Sequence, residues 1–423
     1  MLTESHQLSV DRCQDLSVEA RLSGSIPPAP FFLTTDLDER HRLYGELSRS
    51  GPVHRVVLPH GEWAWLVVRY EQARAALTDP RLAKTGPPFA AELDPALRCA
   101  INSNMLNVDL PEHGRLRRLV AAAFTRRRVE RLAPRIQQLT DELLDPLVAR
   151  AADSSFDLVA EFAYPLPVAV ICELLGVPES GREKFREWSF ADVNASVIGV
   201  EAYAEAATAF VEYLRDLIAR KRREPADDLT SALVGARDGS DSLTEDELTS
   251  MIYLLLVAGH ETTVNLIANG VYMLLRRPGA WAVLGAEPER VPSAVEELLR
   301  IDGPVQTSTL RIAVETFEFA GVTIKEGDTV LVGLLAANRD TTTRPDAEEL
   351  DLTRSPNQHV AFGHGIHLCL GAPLARLEAQ AAFTGLLARF PGLRTAVSPH
   401  EIVAEPGLLM NALRALPVTT RPA

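Results

Sequence analysis

The chain has 423 residues, with 43 Lys and Arg residues against 57 Asp and Glu residues, for a formal net charge of −14. Hydrophobic residues make up 46% and charged residues 24%, which is typical of globular proteins and excludes a disordered or fibrous chain. The acidic balance argues against a nucleic acid as a partner. The four cysteines include no CxxC pair, which argues against a disulfide scaffold and a cysteine zinc site.

The N-terminus lacks a basic and apolar leader, and no apolar run approaches the roughly 18 residues of a membrane span. We therefore expect a cytoplasmic protein with no membrane partner. Residues 1–25 have the character of a flexible lead-in, and residues 26–423 are expected to form one domain.

In chain order, a run rich in Trp and Val predicts a strand at 63–68, followed by a helix at 70–77 and an irregular stretch at 83–107. Short strands are expected at 310–324 and 328–332. Apolar periodicity predicts long helices at 111–123, 129–150, 158–176, 180–193, 199–222, 244–277, 290–300 and 372–389. The fold class is therefore mainly α with small β-sheets.

The helix expected after Pro111 carries His113 and Arg117 four residues apart, so that they share one face. Asp109 and Glu112 have the spacing of a reciprocal cap. Taken alone, these residues indicate a solvated basic face.

The pattern at 244–277 predicts a helix of roughly 50 Å, with Thr244 and Glu247 spaced as a capping box. Its middle reads Ala-Gly-His-Glu-Thr-Thr at 258–263. A glycine inside a helix costs about 1 kcal/mol relative to alanine, which indicates a close approach or a kink. An isolated Glu-Thr pair is most often a solvated acid beside a hydroxyl bonded to its own helix.

The most informative segment is residues 362–376, where two glycines precede Cys369 and Pro373 suits the first turn of a helix. Free N–H groups at a helix start favour a thiolate. A lone cysteine would indicate a small buried core residue. The whole pattern, however, resembles the cysteine-ligand loop of the cytochrome P450 family at Phe362, Gly363, Gly365, His367, Cys369, Gly371, Leu374, Ala375 and Arg376.

The resemblance covers residues 30–420 and implies a single-domain cytochrome P450 fold, with haem between the long central helix and the cysteine loop. Cys369 would be the thiolate ligand of the iron in haem b, and the absence of CxxCH predicts that the haem is not covalently attached. The resemblance also implies a cofactor-binding set consisting of His113, Arg117, Arg311, Phe362, Gly363, His367 and Gly371. Within this set, His113, Arg117, Arg311 and His367 would bind the propionates.

The hexapeptide at 258–263 resembles the oxygen-activation motif of the family. By that resemblance, Thr262 hydrogen-bonds iron-bound dioxygen and Glu261 supports proton delivery. Gly259, next to Ala258, would open a groove over the haem. His260 would be a surface or supporting histidine.

Two charged features resemble further family elements. Glu297 and Arg300 resemble a fold-stabilising Glu-x-x-Arg pair, for which Arg354 is a candidate third partner. A basic cluster stands out on the acidic chain, although such clusters are often merely solvated. The proximal face of the family receives a small acidic ferredoxin, which works with a ferredoxin reductase. We expect that face to include Arg115, Arg118, Arg126, Arg127 and Arg128.

The resemblance implies a monooxygenase that inserts one oxygen atom of dioxygen into a C–H bond, or epoxidises a C=C bond, of a hydrophobic small molecule. The chain is most similar to actinobacterial enzymes that tailor polyketides and macrolides for antibiotic biosynthesis, and we expect a monomer. The substrate-lining residues would be Asn102, Asn104, Thr307, Ser308, Thr309, Leu409 and Met410.

Two alternatives remain. One is a peroxygenase driven by hydrogen peroxide, against which the Glu261–Thr262 pair argues, because such an enzyme needs no proton relay. The other is a non-catalytic haem sensor or partner activator, against which the presence of both Cys369 and Thr262 argues.

Overall fold

The computed structural model describes residues 28–84, 93–151, 154–178, 184–185, 187–188, 191, 199–236 and 241–420. The lead-in expected at 1–25 and most of the helix expected at 180–193 lie outside these residues. The described chain divides into two compact units. The first contains residues 28–83, 297–368 and 403–412, and the second contains 84–296, 369–402 and 413–420.

The described strands are short, as the sequence predicts. In chain order they are Val53–Val57 (β1), Trp63–Val67 (β2), Leu82–Lys84 (β3), Phe156–Asp157 (β4), Arg311–Ala313 (β5), Phe317–Phe319 (β6), Val322–Ile324 (β7), Thr329–Val332 (β8), Arg394–Thr395 (β9) and Pro417–Thr419 (β10).

The first unit is built on a sheet with the strand order β1-β2-β8-β5-β3. β1 and β2 form an antiparallel pair with Val53 opposite Val67, and β2 runs parallel to β8 with Trp65 opposite Val330. Apolar side chains on these strands are buried against the neighbouring helices. This core stabilises the segments 303–313 and 405–411, which carry several predicted site residues.

The helices of the first unit include Leu37–Ser50, which the sequence reading did not predict. The Asp36 carboxylate caps it by accepting from the N–H groups of Asp38 and Glu39 at 2.8 and 3.1 Å. The others are Pro30–Leu33, Tyr70–Thr78, Leu334–Asn338 and the 3₁₀ turn Gly365–His367.

The second unit is mainly helical. Its described residues include a π-helical turn at Val159–Ala163, directly before Pro165, whose ring prevents a regular helix from continuing through it. Its helices are Pro95–Asn102, Glu112–Ala123, Arg126–Arg131, Ala133–Ala151, Pro165–Leu175, Val200–Arg223, Leu229–Val234, Glu245–Arg276, Ala280–Ala286 and Ala372–Arg389, with 3₁₀ turns at Pro288–Arg290 and Pro399–Glu401. The helix Val291–Asp302 continues from this unit into the first.

The helix Glu245–Arg276, called the central helix below, is the backbone of the second unit. Its predicted capping box is confirmed: the Thr244 N–H donates to the Glu247 carboxylate at 2.8 Å, and the Glu247 N–H donates to the Thr244 hydroxyl at 3.2 Å. It is the one helix of the described residues that is long and apolar enough to cross a membrane. Most of it is buried inside the protein, and a core helix of a soluble protein passes the same test.

Candidate active site

The segment around Cys369 is a tight turn followed directly by a helix. Gly363 and Gly365 both have a φ of 75°, which L side chains rarely adopt. A Cβ on Gly365 would also lie 2.7 Å from the Thr78 side chain, so glycine is required there for close packing. The helix Ala372–Arg389 then begins with a proline in its first turn, as the sequence predicts.

Two opposing influences act on the Cys369 thiol, whose side chain is exposed on one side. Desolvation by the surrounding protein atoms is the larger, and it raises the pKa of Cys369. Hydrogen bonds from the N–H groups of Gly371 and Ala372 lower it, as do the charges of Arg117 and Arg376. These four groups therefore stabilise negative charge on the sulfur.

Arg376 is itself held in place by a partner that no motif indicated. Its guanidinium donates two hydrogen bonds to the Glu296 carboxylate, at 2.6 and 2.8 Å. A forked pair of this kind fixes the plane of the arginine as well as its position.

His113 and Arg117 share one face of the helix Glu112–Ala123, as their spacing predicts. His113 is buried, and this burial, followed by the charge of Arg117, lowers the pKa of its imidazole. The predicted reciprocal cap is wrong. The Asp109 carboxylate accepts instead from the N–H of Lys84 at 2.7 Å, and among the described residues no side chain caps this helix.

Part of the middle of the central helix is exposed to solvent, whereas most of its C-terminal half is buried. Ala258 is exposed and Thr262 is half-buried, while residues 263–274 are buried. The Thr262 hydroxyl donates to the Ala258 carbonyl at 2.9 Å. The Glu261 side chain, next in the chain, is 23% exposed. The acid and the alcohol therefore lie in a part of this helix that is less enclosed than residues 263–274.

Gly259 does not open this face of the central helix. A Cβ at this position would lie 2.8 Å from Cδ1 and 2.9 Å from Cγ1 of Ile171, in the helix Pro165–Leu175. The missing side chain therefore lets two helices pack closely, as its cost in a helix predicts, and the expectation of a groove at this residue is wrong.

His260 is fully buried, so of its two expected positions the surface is excluded, and a supporting role stays a prediction. Its ring lies 4.8 Å from that of Phe185 and 6.0 Å from that of Tyr164. Its neighbours along the chain are polar or small, and the aromatic partners that bury it come from distant segments.

The remaining predicted cofactor residues belong to the first unit. Arg311 is buried, and its Nη1 donates to the Leu82 carbonyl at 3.2 Å. Phe362, Gly363 and His367 are half-buried in and around the turn before the cysteine. The predicted cofactor set is thus divided, because the second unit holds His113, Arg117, Cys369 and Gly371.

The structure contradicts two of the predicted substrate contacts. Asn104 is buried, and its amide donates to the Ile101 carbonyl at 3.0 Å and to the Ser250 hydroxyl at 2.9 Å. Thr307 is buried and donates to the Leu408 carbonyl at 2.8 Å. Both residues use their donors inside the protein, so they offer none to a ligand. Met410 is mostly buried, and the half-buried candidates are Asn102, Ser308, Thr309 and Leu409.

Gln306 belongs to no motif, yet it joins the two segments that carry Thr309 and Leu409. Its backbone N–H donates to the Leu409 carbonyl at 2.9 Å, and its buried amide donates to the Gly407 carbonyl at 2.5 Å. The Tyr44 hydroxyl donates to its Oε1 at 3.2 Å. Gln306 therefore fixes the relative position of the two segments.

Glu297 and Arg300 form a fully buried, bidentate ion pair with N–O distances of 2.7 and 2.8 Å. The predicted third partner is also in place, with the Arg354 Nε 3.2 Å from Glu297. The remaining Arg300 donors satisfy the backbone carbonyls of Asn338, Ala347 and Glu349. The network therefore ties one helix to a loop that would otherwise leave buried carbonyls unpaired.

The predicted basic cluster is only partly available at the surface. Arg115 contributes little free charge, because it contacts the carboxylates of Glu112, Asp241 and Glu247. Arg128 pairs with Asp227 at 3.2 Å. Arg126 is 87% exposed and pairs with Glu130. The exposed members are Arg118, Arg126 and Arg127.

The donor set around Cys369 fits a haem-thiolate site. Within the described part of the chain, no group of three or more His, Cys, Asp or Glu side chains could hold a metal. A porphyrin supplies four ring nitrogens as ligands of its iron. The protein therefore needs to supply only one ligand atom, and a single cysteine sulfur is enough. An exposed cysteine with two N–H donors and two nearby arginines meets that need.

The chain is similar to known proteins over nearly all of its length. Cytochrome P450 107B1 of Saccharopolyspora erythraea is 48% identical to this chain, and the alignment covers 94% of this chain and 98% of the relative. The mycinamicin IV hydroxylase/epoxidase of Micromonospora griseorubida is 47% identical, and the alignment covers 89% of this chain and 94% of the relative. The solved structure of the tirandamycin C-bound P450 monooxygenase TamI is 43% identical, with a TM-score of 0.84 over 93% of this chain and 100% of that one.

A family model described as "Cytochrome P450" matches residues 200–416. Together with the cysteine loop, the fold and these relatives, that match shows that the chain is a monooxygenase of the cytochrome P450 family.

Proposed function

We propose that residues 26–423 act as one catalytic domain that holds haem b, with the Cys369 thiolate as its axial ligand. The observation that carries this proposal is the setting of Cys369, an exposed thiol directly before a helix start, where two N–H groups and two arginines partly offset the desolvation of a thiolate. When bound, the haem supplies the activation of dioxygen and the transfer of one oxygen atom.

The basic side chains of the cofactor set neutralise the two haem propionates. A guanidinium or imidazole that donates to a carboxylate makes a strong, charge-assisted bond, and buried carboxylates need such donors. Arg117 and Arg311 supply charge directly. His113 and His367 supply ring N–H groups.

Thr262 and Glu261 move protons to the site of oxygen activation. The Thr262 hydroxyl lies on the open face of the central helix, where rotation about χ1 redirects it from the Ala258 carbonyl. The partly exposed Glu261 carboxyl can exchange protons with solvent and pass them to this hydroxyl.

The substrate is a hydrophobic natural product, a class that the family match and the relatives support. The relatives point to macrolides and polyketides, since one is named for mycinamicin IV and another was solved with tirandamycin C. We propose a molecule of this class, with hydroxylation or epoxidation as the reaction.

Electrons come from a small acidic ferredoxin in the cytoplasm, where the protein acts as a monomer. The exposed Arg118, Arg126 and Arg127 would attract that partner. Arg115 instead stabilises the fold, because three carboxylates already contact it.

The test is turnover of the haem-loaded protein with a ferredoxin, its reductase, NADPH and labelled dioxygen, with mycinamicin IV and tirandamycin C as probes. We expect a product that carries one labelled oxygen atom. Thr262→Ala should lower the product formed per NADPH by about tenfold or more, because it removes a proton-relay group. Thr263→Ala, which changes the buried neighbouring threonine, is the matched control. Equal coupling in the two variants would contradict the relay, and absence of labelled product from every macrolide and polyketide tested would contradict the substrate class.

A further inference from the structure

His260 is held rigidly inside the second unit, although it neighbours the proposed relay in the chain. Its ring meets Phe185 edge-on at 4.8 Å, and Phe185 in turn contacts Phe210 at 5.7 Å. Phe210 stacks on Trp188 at 5.1 Å. Tyr164 closes the other side at 6.0 Å. An imidazole in such a cage has few alternative rotamers, so its two nitrogens have fixed partners.

The first nitrogen must carry a hydrogen. Nδ1 of His260 lies 2.9 Å from the Leu256 carbonyl oxygen, one turn earlier in the central helix. A carbonyl oxygen can only accept a hydrogen bond, so this contact requires an N–H at Nδ1.

The second nitrogen faces the acid of the proposed relay. Nε2 of His260 lies 3.4 Å from Oε1 of Glu261. With Nδ1 protonated, a neutral imidazole presents a lone pair at Nε2, and an ionised carboxylate presents another. Two lone pairs at this distance repel each other, whereas one hydrogen between the two atoms turns the repulsion into a hydrogen bond. Bonds of this kind are often long in a resting enzyme and shorten when the reaction begins.

We propose that His260 and Glu261 share one proton and form the reservoir from which Thr262 is supplied. This inference rests on the proposed function of the Glu261–Thr262 relay. The carboxyl O–H of Glu261 gives its proton toward the threonine hydroxyl, and any proton on Nε2 moves to the carboxylate. The pair then regains one proton from solvent through the exposed edge of Glu261, and no electrons are transferred. His260 is a positioning residue in this scheme, because it acts through the carboxyl of Glu261.

The first test is spectroscopic and does not need turnover. In the haem-loaded protein, the Glu261 carboxyl is identified by difference infrared spectroscopy between wild type and Glu261→Gln. We expect His260→Phe, which keeps the volume and the aromatic packing but removes both nitrogens, to shift or abolish that carboxyl band. Phe185→Leu loosens the cage without removing a titratable group, and it should leave the band in place. An unchanged band in His260→Phe would overturn the proposal.

The second test is a double-mutant cycle on coupling, with mycinamicin IV as the probe. His260→Phe should raise the ratio of peroxide released to product formed by about tenfold, and it should add nothing in the Glu261→Gln background, since both changes remove one proton reservoir. If His260→Phe does not fold, His260→Asn keeps a donor for the Leu256 carbonyl and lacks Nε2. Effects that add independently would overturn the shared reservoir. A wild type that makes no oxygenated product would instead contradict the proposed function.

Discussion

The close approach of two helices at Gly259 leads to a prediction that separates packing from chemistry. Changing Gly259 to Ala places a methyl group 2.8 to 2.9 Å from two carbons of the Ile171 side chain. The same change removes the only glycine near the centre of the central helix. The first effect destabilises the protein and the second stabilises it.

Both effects have known sizes. Overpacking of a filled core costs about 1–3 kcal/mol, whereas Gly→Ala inside a helix gains about 1 kcal/mol. In the wild-type background, Gly259→Ala should therefore lower the free energy of unfolding by roughly 1 kcal/mol on balance. In an Ile171→Ala background both crowding carbons are gone, so the same change should raise it by about 1 kcal/mol.

The assay is urea unfolding of the four haem-loaded proteins, with the carbon monoxide spectrum as a check on the haem site. The cycle should give a coupling energy of about 1–3 kcal/mol, with a reversal of sign between the two backgrounds. Additivity within about 0.5 kcal/mol would refute the packing argument. Gly259→Ala could also abolish dioxygen binding. If adding Ile171→Ala does not restore that binding, Gly259 has a role at the cofactor and not only in helix packing.

Three further predictions concern stability, titration and electron transfer. Arg300→Met should lower the free energy of unfolding by about 3–5 kcal/mol, because the buried Glu297 carboxylate loses the two hydrogen bonds from Arg300 and three backbone carbonyls lose their donor; a loss below about 1 kcal/mol in urea unfolding would contradict this. Burial raises the pKa of Glu378 well above its ordinary value of 4.5, so the native state holds a proton that the unfolded chain releases above that pH. Wild type should therefore lose stability relative to Glu378→Gln as the pH rises above 4.5, and a difference that does not change with pH would show the reasoning to be wrong. The double change Arg126→Glu and Arg127→Glu should slow reduction by ferredoxin most at low salt, and Arg42→Glu, on a helix of the first unit, should not; equal slowing by both would mean that only net charge matters.

The parts of the fold that depend on local sequence could be predicted. The helix Ala372–Arg389 follows its predicted range, and the central helix begins at its capping box. These limits depend on residues within one turn of the helix end. The helix Pro95–Asn102 could have been found by the same rule, because Asp94 accepts from the N–H groups at its start and a proline follows.

The parts of the site that depend on distant partners could not be predicted. His260 is buried by rings that lie far from it in the chain. Gly259 packs closely against Ile171, which belongs to another helix. Asn104 has a polar side chain in a predicted substrate segment, yet its amide donates a hydrogen bond to the Ser250 hydroxyl inside the protein. Each sequence pattern identifies the segment correctly, whereas the direction of each side chain depends on tertiary packing.

The ligand of the iron can be tested most directly by the spectrum of the reduced protein with carbon monoxide. Wild type should show the red-shifted Soret band that a thiolate ligand produces, and Cys369→Ser should lose it. Cys99→Ser and Cys172→Ser, which change an exposed and a buried cysteine, should keep the band. An imidazole-type spectrum in wild type, or a thiolate-type band that persists in Cys369→Ser, would contradict the assignment of Cys369.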